Sequence, residues 1–436
     1  MTMGYFPNLE GNWQEYLAWL ALLKERGFNT SQTERRMVKL LSQEKKYISQ
    51  KMRKENSAYQ TAERLEEIRR QRPEGPRKLV EKVNQDELND RILGAWLGRA
   101  AGCILGIPCE GLSKEAIRFA CLNHSLPYPL RSYWPEDPKN LSPKARQYQL
   151  TPREKFLLKN LTGIGADDDL AYTLLGLLIL EEKGLDFTTK DVASAWLKYL
   201  PTACTAEAVA LTNLRQGIPP ALAGGINNPY TDWIGADIRS DPWAYAAPGW
   251  PEKAAEMAYR DACLTHRGIG IHAAMFFSAA IAAAFVASEP IEAIKLGLTE
   301  IPKNSRLTGV VQQVIRWCED DGDWEKTTDR ILKFFQGMSP VHALNNAAMT
   351  VAGIFYGNGD FGKTITLTVM AGLDTDCTGA TAGSLLGAMV GASRLPKKWI
   401  KPLGDEVETY LLRHRHFRSK EIAKRFTRIA LKNINT

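Results

Sequence analysis

Residues 373–391 read LDTDCTGATAGSLLGAMVG, and the rest of the chain can be interpreted from this stretch outward. Asp374 and Asp376 stand at its start, and glycines then recur every four residues. Because residues four apart share one face of a helix, the spacing predicts a helix whose glycine face admits another backbone. Glycine costs about 1 kcal/mol relative to alanine inside a helix. Close helix packing around an acidic pocket would explain the repeated glycines.

A second acidic cluster, Asp167–Asp169, lies about 200 residues earlier and directly precedes a strongly apolar helical stretch. One acid at a helix start is expected from capping and from the helix dipole. Three consecutive carboxylates repel one another, and a bound divalent cation would offset that repulsion. We therefore predict that the two clusters form two walls of one metal site, with helix capping alone as the alternative.

A third carboxylate follows the stretch DRILGAWLGRAAGCILGIPCEGL at residues 90–112. Small residues among Leu, Ile and Trp predict a tightly packed, buried helix that breaks at Gly106–Pro108. Glu110 comes immediately after the break. A carboxylate just beyond a buried helix is a candidate site residue, and a surface loop glutamate is the alternative.

The composition indicates a globular protein with a basic appendage. Of the 436 residues, 44% are hydrophobic and 24% are charged, as in ordinary soluble proteins. Residues 1–85 contain 17 Lys and Arg against 11 Asp and Glu, a net +6 of the formal +7. We predict a basic helical extension and linker over 1–85 and one large domain over 86–436.

The extension is predicted to form two helices, about 10–27 and 32–70, followed by a linker at 71–78. Ser31 and Glu34 are the predicted capping-box pair of the second helix. Its apolar stripe is narrow, so a solvated hairpin and a partner-binding arm both remain open. Interleaved acidic residues argue against nucleic acid.

The seven cysteines are scattered without CxxC or CxxH spacing, which argues for a reducing compartment and against a disulfide framework or a structural zinc site. We recognise no signal peptide at the N-terminus. The apolar run 271–287 is predicted to be a buried central helix, not a membrane span. These observations predict a cytoplasmic protein without a membrane partner.

The rest of the chain is predicted to be helical, with irregular segments at 123–160 and 224–250. The second segment is long, and long ordered loops are disproportionately functional. His266 follows a predicted helix and is either a helix cap or a ligand contact. No stretch alternates like a sizeable sheet, so we predict an all-α fold.

Four motifs in order resemble the ADP-ribosylglycohydrolase family: LGAWLGRAAGCILGIPCE (93–110), GADDDLAYTL (165–174), CLTHRGIGIHAA (263–274) and DTDCTGATAGSLLGA (374–388). This family includes the dinitrogenase reductase-activating glycohydrolase and the ADP-ribosyl-acceptor hydrolases. The resemblance covers about residues 86–400. It implies a compact multi-helix domain whose central pocket holds two divalent cations, usually Mg²⁺ and sometimes Mn²⁺.

The resemblance also implies ligands for those cations. The family's Thr-Asp-Asp-Thr motif falls on Asp167–Leu170, the register that keeps the following apolar helix aligned. Its Asp-Thr-Asp-Thr motif falls on 374–377. The implied metal ligands are Asp167, Asp168, Asp169, Asp374, Asp376 and Cys377, with the Thr378 hydroxyl as a substitute for Cys377.

Four positions depart from the family pattern. Asp167 replaces a threonine and keeps an oxygen ligand, whereas Leu170 replaces another and has no donor atom. Cys377 stands at a threonine ligand position, and a thiol suits Mg²⁺ poorly. Cys103 stands where the family commonly has an aspartate. These departures concern the number of metals and the substrate more than the reaction class.

Other site residues are implied for catalysis and for substrate binding. Asp168 or Asp169 is the expected general base, and Glu110 the expected gate or proton-handling group. The pyrophosphate is expected at a helix N-terminus near Gly379. The remaining expected substrate contacts are His266, Gly235, Asp237 and Arg239.

The predicted function is metal-dependent hydrolysis of the glycosidic bond that links ADP-ribose to a modified protein side chain, with arginine as the expected acceptor. This would reverse mono-ADP-ribosylation. The alternative is an immunity-type protein that neutralises an ADP-ribosyltransferase partner through residues 1–85, with or without hydrolase activity. A member that binds ADP-ribose-like ligands without cleavage, and a phosphatase using the same carboxylates, are further alternatives.

Overall fold

The structure is a computed structural model that describes residues 7–58, 62–80, 84–138 and 153–434. The chain divides into two units, Met1–Thr61 and Ala62–Thr436. Within the described ranges both units are helical, and strands are confined to one two-stranded sheet. The predicted all-α fold is confirmed.

The described part of the first unit contains α1 (Pro7–Glu25) and α2 (Ser31–Ala58). The predicted helix over 32–70 is therefore wrong in extent, and residues 59–61 lie outside the described residues. The predicted Ser31–Glu34 capping pair is also wrong. Because α2 already begins at Ser31, this residue lies inside the helix, and Glu34 instead accepts a 2.5 Å bond from the hydroxyl of Thr30.

The second unit packs its helices around one apolar core. Its helices are α3 (Leu65–Gln71), α4 (Gln85–Gly106), α5 (Lys114–Asn123), α6 (Asp168–Lys183), α7 (Thr189–Tyr199), α8 (Thr205–Arg215), α9 (Pro220–Ala223), α10 (Asp241–Ala246), α11 (Pro251–Ala262), α12 (Gly268–Ala284), α13 (Pro290–Leu298), α14 (Arg306–Asp321), α15 (Trp324–Phe334), α16 (Ala343–Gly357), α17 (Phe361–Met370), α18 (Thr375–Val390), α19 (Lys397–Ile400) and α20 (Ser419–Ile434). Short 3-10 helices lie at Ile107–Cys109, Arg153–Phe156, Leu158–Asn160, Ile234–Arg239, Ala392–Arg394 and Lys401–Leu403.

The helices α4 and α18 pack through their glycines. A Cβ atom added to Gly102 would lie 1.8 Å from the carbonyl oxygen of Gly379, and one added to Gly98 would lie 2.1 Å from that of Gly383. Real side chains cannot be accommodated at such distances. The predicted close approach of another backbone to the glycine face is confirmed.

This pairing is antiparallel, so the end of α4 meets the start of α18. The hydroxyl of Thr375 donates to the carbonyl of Gly106 at 2.9 Å. Glu110 follows one short 3-10 helix later. The glycine contacts therefore place Glu110 beside the second acidic motif, although 260 or so residues separate them in the chain.

Two apolar helices form the centre of the core. The stretch Gln85–Cys109 is long and apolar enough to cross a membrane, but 94% of its apolar window is buried inside the structure. The run 271–287 belongs mostly to α12, and every residue of α12 is buried. Burial within the protein accounts for the apolar composition of both helices.

The predicted loop 224–250 is only partly irregular. It contains the 3-10 helix Ile234–Arg239 and α10, and both are buried. Pro242 lies in the first turn of α10, where its missing N–H costs no hydrogen bond. In the other predicted loop, residues 124–138 are irregular, two 3-10 helices lie between 153 and 160, and 139–152 lie outside the described residues.

The predicted linker 71–78 is packed against the second unit. Arg72 forms an ion pair with Glu252 and another with Glu300, each at 2.5 Å. Arg77 reaches Glu300 at 2.8 Å, and the Glu300 carboxylate is fully buried. Residues 62–80 therefore belong to the second unit.

The boundary between the units lies between residues 61 and 62, and the predicted domain boundary between 85 and 86 stays a prediction. At the other end of the chain, β1 (Glu406–Glu408) and β2 (His416–Arg418) form an antiparallel pair in which Val407 lies opposite Phe417. The indole N–H of Trp96 donates to Ser419 at 3.0 Å, which joins the start of α20 to α4.

Candidate metal centre

Carboxylates from three parts of the chain converge at one place. Among the described residues, three groups each offer three ligand atoms that all lie within 4.8 Å of one another. The groups are Asp167, Asp168 and Asp169; Glu110, Asp374 and Asp376; and Asp169, Asp376 and Cys377. Because Asp169 and Asp376 each belong to two groups, the predicted two walls face each other across one centre.

The first motif is positioned by the start of α6. Asp167 is the N-cap, and its side chain accepts from the backbone N–H of Asp169 at 3.0 Å. The thiol of Cys103 donates to the same Asp167 oxygen at 3.3 Å. Asp167 therefore caps the start of α6 and also lies close to the other carboxylates, so the capping and metal-ligand interpretations do not exclude each other.

Arg99 holds the first motif from behind, and the predictions did not include it. Its fully buried guanidinium donates to the backbone carbonyl of Asp169 at 2.7 Å and lies 3.4 Å from the Asp169 carboxylate. It also forms a 2.6 Å ion pair with buried Asp241. The available signal was a lone arginine within the apolar run 92–109.

The second motif begins α18 and has less support from hydrogen bonds. The side chain of Asp374 makes no capping bond to the helix, and its backbone N–H donates to the Asn346 side chain at 3.1 Å. The Oδ1 atom of Asp376 is buried and has no hydrogen-bond partner within the described part of the chain. The thiol of Cys377 donates to Asp169 at 3.3 Å and so joins the two motifs.

Thr378 follows these residues in the first turns of α18. Its hydroxyl donates to the backbone carbonyl of Asp374 at 3.0 Å, and the residue is almost fully buried. A threonine in a helix interior often bonds the carbonyl four residues earlier in this way. Cys377 offers a ligand atom close to those of Asp169 and Asp376, and the predicted contact from Thr378 to a metal stays a prediction.

Burial and mutual repulsion keep these carboxyl groups protonated to unusually high pH. Burial, followed by the charge of Glu110, raises the pKa of Asp168 to about 6 and that of Asp376 to about 7. Burial and neighbouring carboxylates raise the pKa of Asp167, Asp169 and Asp374 well above the usual range. Such shifts are expected where several acids share a site without a cation.

Glu110 is partly accessible to solvent, with 42% of its side chain exposed. It lies just after the 3-10 helix Ile107–Cys109 and forms a 3.0 Å ion pair with Arg153. Arg153 also donates to the carbonyl of Ile107. The structure thus brings the predicted Glu110 to the edge of the centre, where its ion pair with the Arg153 guanidinium holds it.

The predicted substrate residue Arg239 is buried in a network of its own. It donates to Asp261 at 2.7 Å, to Glu207, and to the hydroxyl of Thr265 at 2.8 Å. Another bond, of 2.9 Å, goes to the carbonyl of Gly235. Four of its five N–H donors are therefore used within the protein, and we assign Arg239 to the packing of this segment.

The other predicted residues of this segment are also buried. A Cβ atom added to Gly235 would lie 2.3 Å from the Glu207 carboxylate, so only glycine leaves room here for the ion pair between Glu207 and Arg239. Asp237 is 3% exposed, and burial raises its pKa well above the usual range. Direct contacts from these two residues to a substrate stay predictions.

His266 joins the same network. It is fully buried, and its Nδ1 atom lies 2.7 Å from the Thr265 hydroxyl that receives a bond from Arg239. Burial, and then the nearby Arg239, lowers its pKa well below the usual range. The imidazole is therefore neutral at physiological pH, and its predicted ligand contact stays a prediction.

Gly379 lies within the α4–α18 contact. A Cβ atom there would meet the Gly102 carbonyl oxygen at 2.6 Å, so this part of the helix faces a backbone. The glycine is needed for the packing that positions the motif. The predicted pyrophosphate position near Gly379 stays a prediction.

The residues of the centre fit a divalent cation. A buried carboxylate oxygen without a partner is costly, and Asp376 presents one inside the cluster. Hard cations bind clustered carboxylate oxygens, which Asp374, Asp376 and Glu110 supply together. Asp167 and Asp168 are half-exposed, which gives the centre a side open to solvent.

Comparisons with known proteins agree with this fold. The sequence model of the ADP-ribosylglycohydrolase family matches residues 84–429. A solved structure described as an ADP-ribosylglycohydrolase-related protein complex shares the fold, with a TM-score of 0.54 and 22% sequence identity over 80% of this chain and 100% of that chain. None of the curated proteins compared with the chain matches it. Since the family match spans most of its length, the chain belongs to the ADP-ribosylglycohydrolase family.

Proposed function

We propose that this protein hydrolyses the glycosidic bond between ADP-ribose and a modified protein side chain, with arginine as the acceptor. Family membership supports a glycoside-hydrolase type of enzyme. The observation that carries the metal-dependent reaction is the convergence of Glu110, Asp167–Asp169 and Asp374–Asp376 on one centre. We propose two divalent ions there, with Mg²⁺ as the expected ion and Mn²⁺ as the alternative.

The carboxylates suit the chemistry of this bond. Cleavage at the anomeric carbon of ribose passes through an oxocarbenium-like transition state, which nearby negative charge stabilises. When bound, divalent ions would orient a water molecule, lower its pKa and hold the ribose hydroxyls. The five aspartates would hold such ions, and the burial of Asp169, Asp374 and Asp376 would limit the access of bulk water on that side of the centre.

Asp168 is the general base in this proposal. It is half-exposed at the open side of the centre, where a water molecule can reach its carboxylate. A carboxylate within hydrogen-bond reach of a water molecule can accept a proton from it. Asp169 is less suited, because Arg99 and the Cys377 thiol both contact its carboxylate.

Glu110 would act at the leaving group. It is partly exposed, shares a ligand group with Asp374 and Asp376, and is oriented by Arg153. From this position it can gate access or pass a proton to the departing acceptor.

The test is release of free ADP-ribose from proteins ADP-ribosylated on arginine or on serine, in the presence of Mg²⁺, Mn²⁺ or EDTA. We expect release from the arginine-linked substrate with either metal and none with EDTA. Asp168→Asn and Asp374→Asn should each lower the rate at least about 100-fold, since even residues behind metal ligands contribute about 10–100-fold.

Asp323→Asn is the matched control, because Asp323 caps α15 away from the centre and asparagine caps equally well. It should retain the normal rate. Normal turnover by folded Asp374→Asn protein would contradict the metal-dependent mechanism. Release from serine-linked substrate alone would overturn the choice of arginine.

A second candidate function is supported by the first unit. Its helices α1 and α2 expose large apolar side chains, including Trp19 (58%), Val38 (63%) and Tyr47 (59%), beside many basic residues. Exposed apolar groups on a basic surface are typical of protein-binding sites. We propose this unit as the docking site for an ADP-ribosyltransferase. We also propose that the protein is cytoplasmic.

The two functions separate by deletion of residues 1–61. The shortened protein should keep its hydrolase activity and lose its binding to the transferase. Mixing the two purified proteins and testing whether they elute together measures this binding. The Asp374→Asn variant of the full chain should do the opposite. Retained transferase binding after the deletion would contradict docking through the first unit.

A further inference from the structure

One thiol lies inside the cluster of carboxylates. The Cys377 Sγ atom is 3.3 Å from an Asp169 carboxylate oxygen, and the side chain is 7% exposed. The possible ligand atoms of Asp169, Asp376 and Cys377 all lie within 4.8 Å of one another. This spacing lets two oxygens and one sulfur contact a single ion.

A separate observation indicates a ligand at this position. Asp376 is 6% exposed, and its buried Oδ1 atom has no hydrogen-bond partner among the described residues. Buried polar atoms in proteins are nearly always paired, and a bound ion is one explanation for an unpaired one. The unpaired oxygen belongs to the same group of ligand atoms as the thiol.

The composition of this group differs from that of its neighbour. Glu110, Asp374 and Asp376 offer only oxygen, which suits Mg²⁺, Ca²⁺ or Mn²⁺. The group with Cys377 offers sulfur as well, and thiolates favour Zn²⁺, Co²⁺ and Fe²⁺ over Mg²⁺. Asp376 belongs to both groups, so its carboxylate lies between a hard position and a softer one.

We propose that Asp169, Asp376 and Cys377 form a mixed carboxylate–thiolate site for a thiophilic divalent transition-metal ion. This inference rests on the proposed metal-dependent function, and it replaces Mg²⁺ by a thiophilic ion at one of the two ion positions. On binding, the Cys377 thiol gives up its proton to solvent and the sulfur becomes a ligand. The thiol hydrogen bond to Asp169 is lost, and both groups then face the ion.

Cys103 provides a matched comparison within the same centre. Its thiol donates to Asp167 at 3.3 Å, much as Cys377 donates to Asp169. It belongs to none of the three ligand groups found among the described residues. Two buried cysteines therefore contact the acids in the same way, and the proposal makes one of them a metal ligand.

The test uses the full-length protein freed of metal and titrated with Co²⁺. A thiolate bound to Co²⁺ produces a charge-transfer absorption in the near ultraviolet, which oxygen ligands do not. In the natural protein and in Cys103→Ser, we expect this absorption with the intensity of one thiolate bound to Co²⁺ per protein molecule. We expect it to be lost in both Cys377→Ser and Cys377→Thr, which replace the sulfur by oxygen and keep a small side chain.

Calorimetric titration gives the second readout. Cys377→Thr should weaken Co²⁺ binding at this site by at least about tenfold and leave Mg²⁺ binding at the carboxylate group unchanged. Circular dichroism and Mg²⁺ binding show whether each variant is folded. If one Cys377 variant fails to fold, the other decides the result.

Three outcomes would overturn the inference. These are no charge-transfer absorption in the natural protein, an absorption that persists in both Cys377 variants, and an absorption lost only in Cys103→Ser. Hydrolysis with Mg²⁺ in a protein that shows no Co²⁺–thiolate absorption would remove the inference and keep the proposed function. The absorption without any release of ADP-ribose would do the reverse.

Discussion

The two acidic motifs occupy equivalent places at the first turns of α6 and α18, but the protein supports them differently. Asp167 caps its own helix, and Asp169 lies beside the guanidinium of Arg99. In the other motif, Asp374 makes no capping bond and Asp376 has an unpaired buried oxygen. The first motif is held by hydrogen bonds and by the guanidinium of Arg99, whereas the second motif is held by the glycine contacts of its helix.

Under the proposed function, this difference predicts which motif depends more on a metal ion. The charge of the first motif is partly balanced by Arg99 of the protein itself. Among the described residues no arginine pairs with the carboxylates of the second motif, so a bound metal ion would balance their charge. The packing of α18 against α4 would hold the motif in place without the ion.

The largest effect is expected where the first motif loses its cation. Arg99→Met should lower the free energy of unfolding by about 3–5 kcal/mol, because it leaves Asp169 and Asp241 buried without their partner. Urea denaturation measures this loss. Arg118→Met is the control, since the Arg118–Glu325 pair is exposed and contributes at most about 1 kcal/mol. Similar losses in the two variants would contradict the role given to Arg99.

The next largest loss of stability from a substitution is expected when the glycine contact between α4 and α18 is disrupted. In Gly102→Ala the new methyl group would lie 1.8 Å from the Gly379 carbonyl oxygen and force α18 away from α4. We expect a loss of about 3 kcal/mol, the upper range for overpacking. Gly309→Ala is the control, because nothing lies within 4 Å of its added Cβ in α14. That variant should be more stable by up to about 1 kcal/mol.

The charge of the second motif predicts a pH dependence without metal. The pKa of Asp376 is raised from 3.8 to about 7 in the folded protein, so folding is favoured below pH 4 relative to neutral pH. The stability from this group is lost as the pH rises from about 4 through 7, on the order of 4 kcal/mol at about 1.4 kcal/mol per pKa unit. Denaturation in EDTA across this pH range measures the slope.

Two comparisons sharpen that experiment. Asp376→Asn should flatten the slope in EDTA, because the neutral amide does not titrate. Saturating Mg²⁺ should also reduce the loss at neutral pH, because a bound cation stabilises the ionised form. A slope unchanged in Asp376→Asn would mean that other groups dominate it.

The smallest effect concerns the cap of the first motif. In EDTA, Asp167→Ala should cost about 1 kcal/mol through loss of the capping bond, whereas Asp167→Asn keeps an acceptor and costs less. Asp374→Ala has no cap to lose and should not show this cost. Thermal denaturation of the three variants compares the two motifs directly. Equal destabilisation by the two alanine substitutions would contradict the difference between them.

The sequence was informative where a periodic pattern imposes geometry. Glycines every four residues in 379–391 and small residues in 94–102 predicted close helix packing, and that packing brings Glu110 to Asp374 and Asp376. The acids themselves were found because three in a row exceed the needs of a helix cap. Both signals are local, and each can be read from a few neighbouring residues.

Contacts between distant segments could not be predicted in the same way. Arg239 appeared to be a substrate contact, but its donors are taken by Glu207 and Asp261 from two other helices. Arg99 depends on Asp241, which lies 142 positions away. A single sequence gives the charges but not their partners, so the internal ion pairs of this fold became visible only in three dimensions.

The segment that precedes the family match has a practical consequence for anyone who wishes to produce the hydrolase portion separately. A protein begun at residue 84 would lack Arg72 and Arg77 and leave the Glu300 carboxylate buried without either cation. It would also lose the carbonyl of Ala62 that accepts a 2.8 Å bond from buried His272. Removing such partners destabilises a fold by several kcal/mol, about 3–5 for one buried ion pair. Expression should therefore start at residue 62, more than twenty residues before the family match begins.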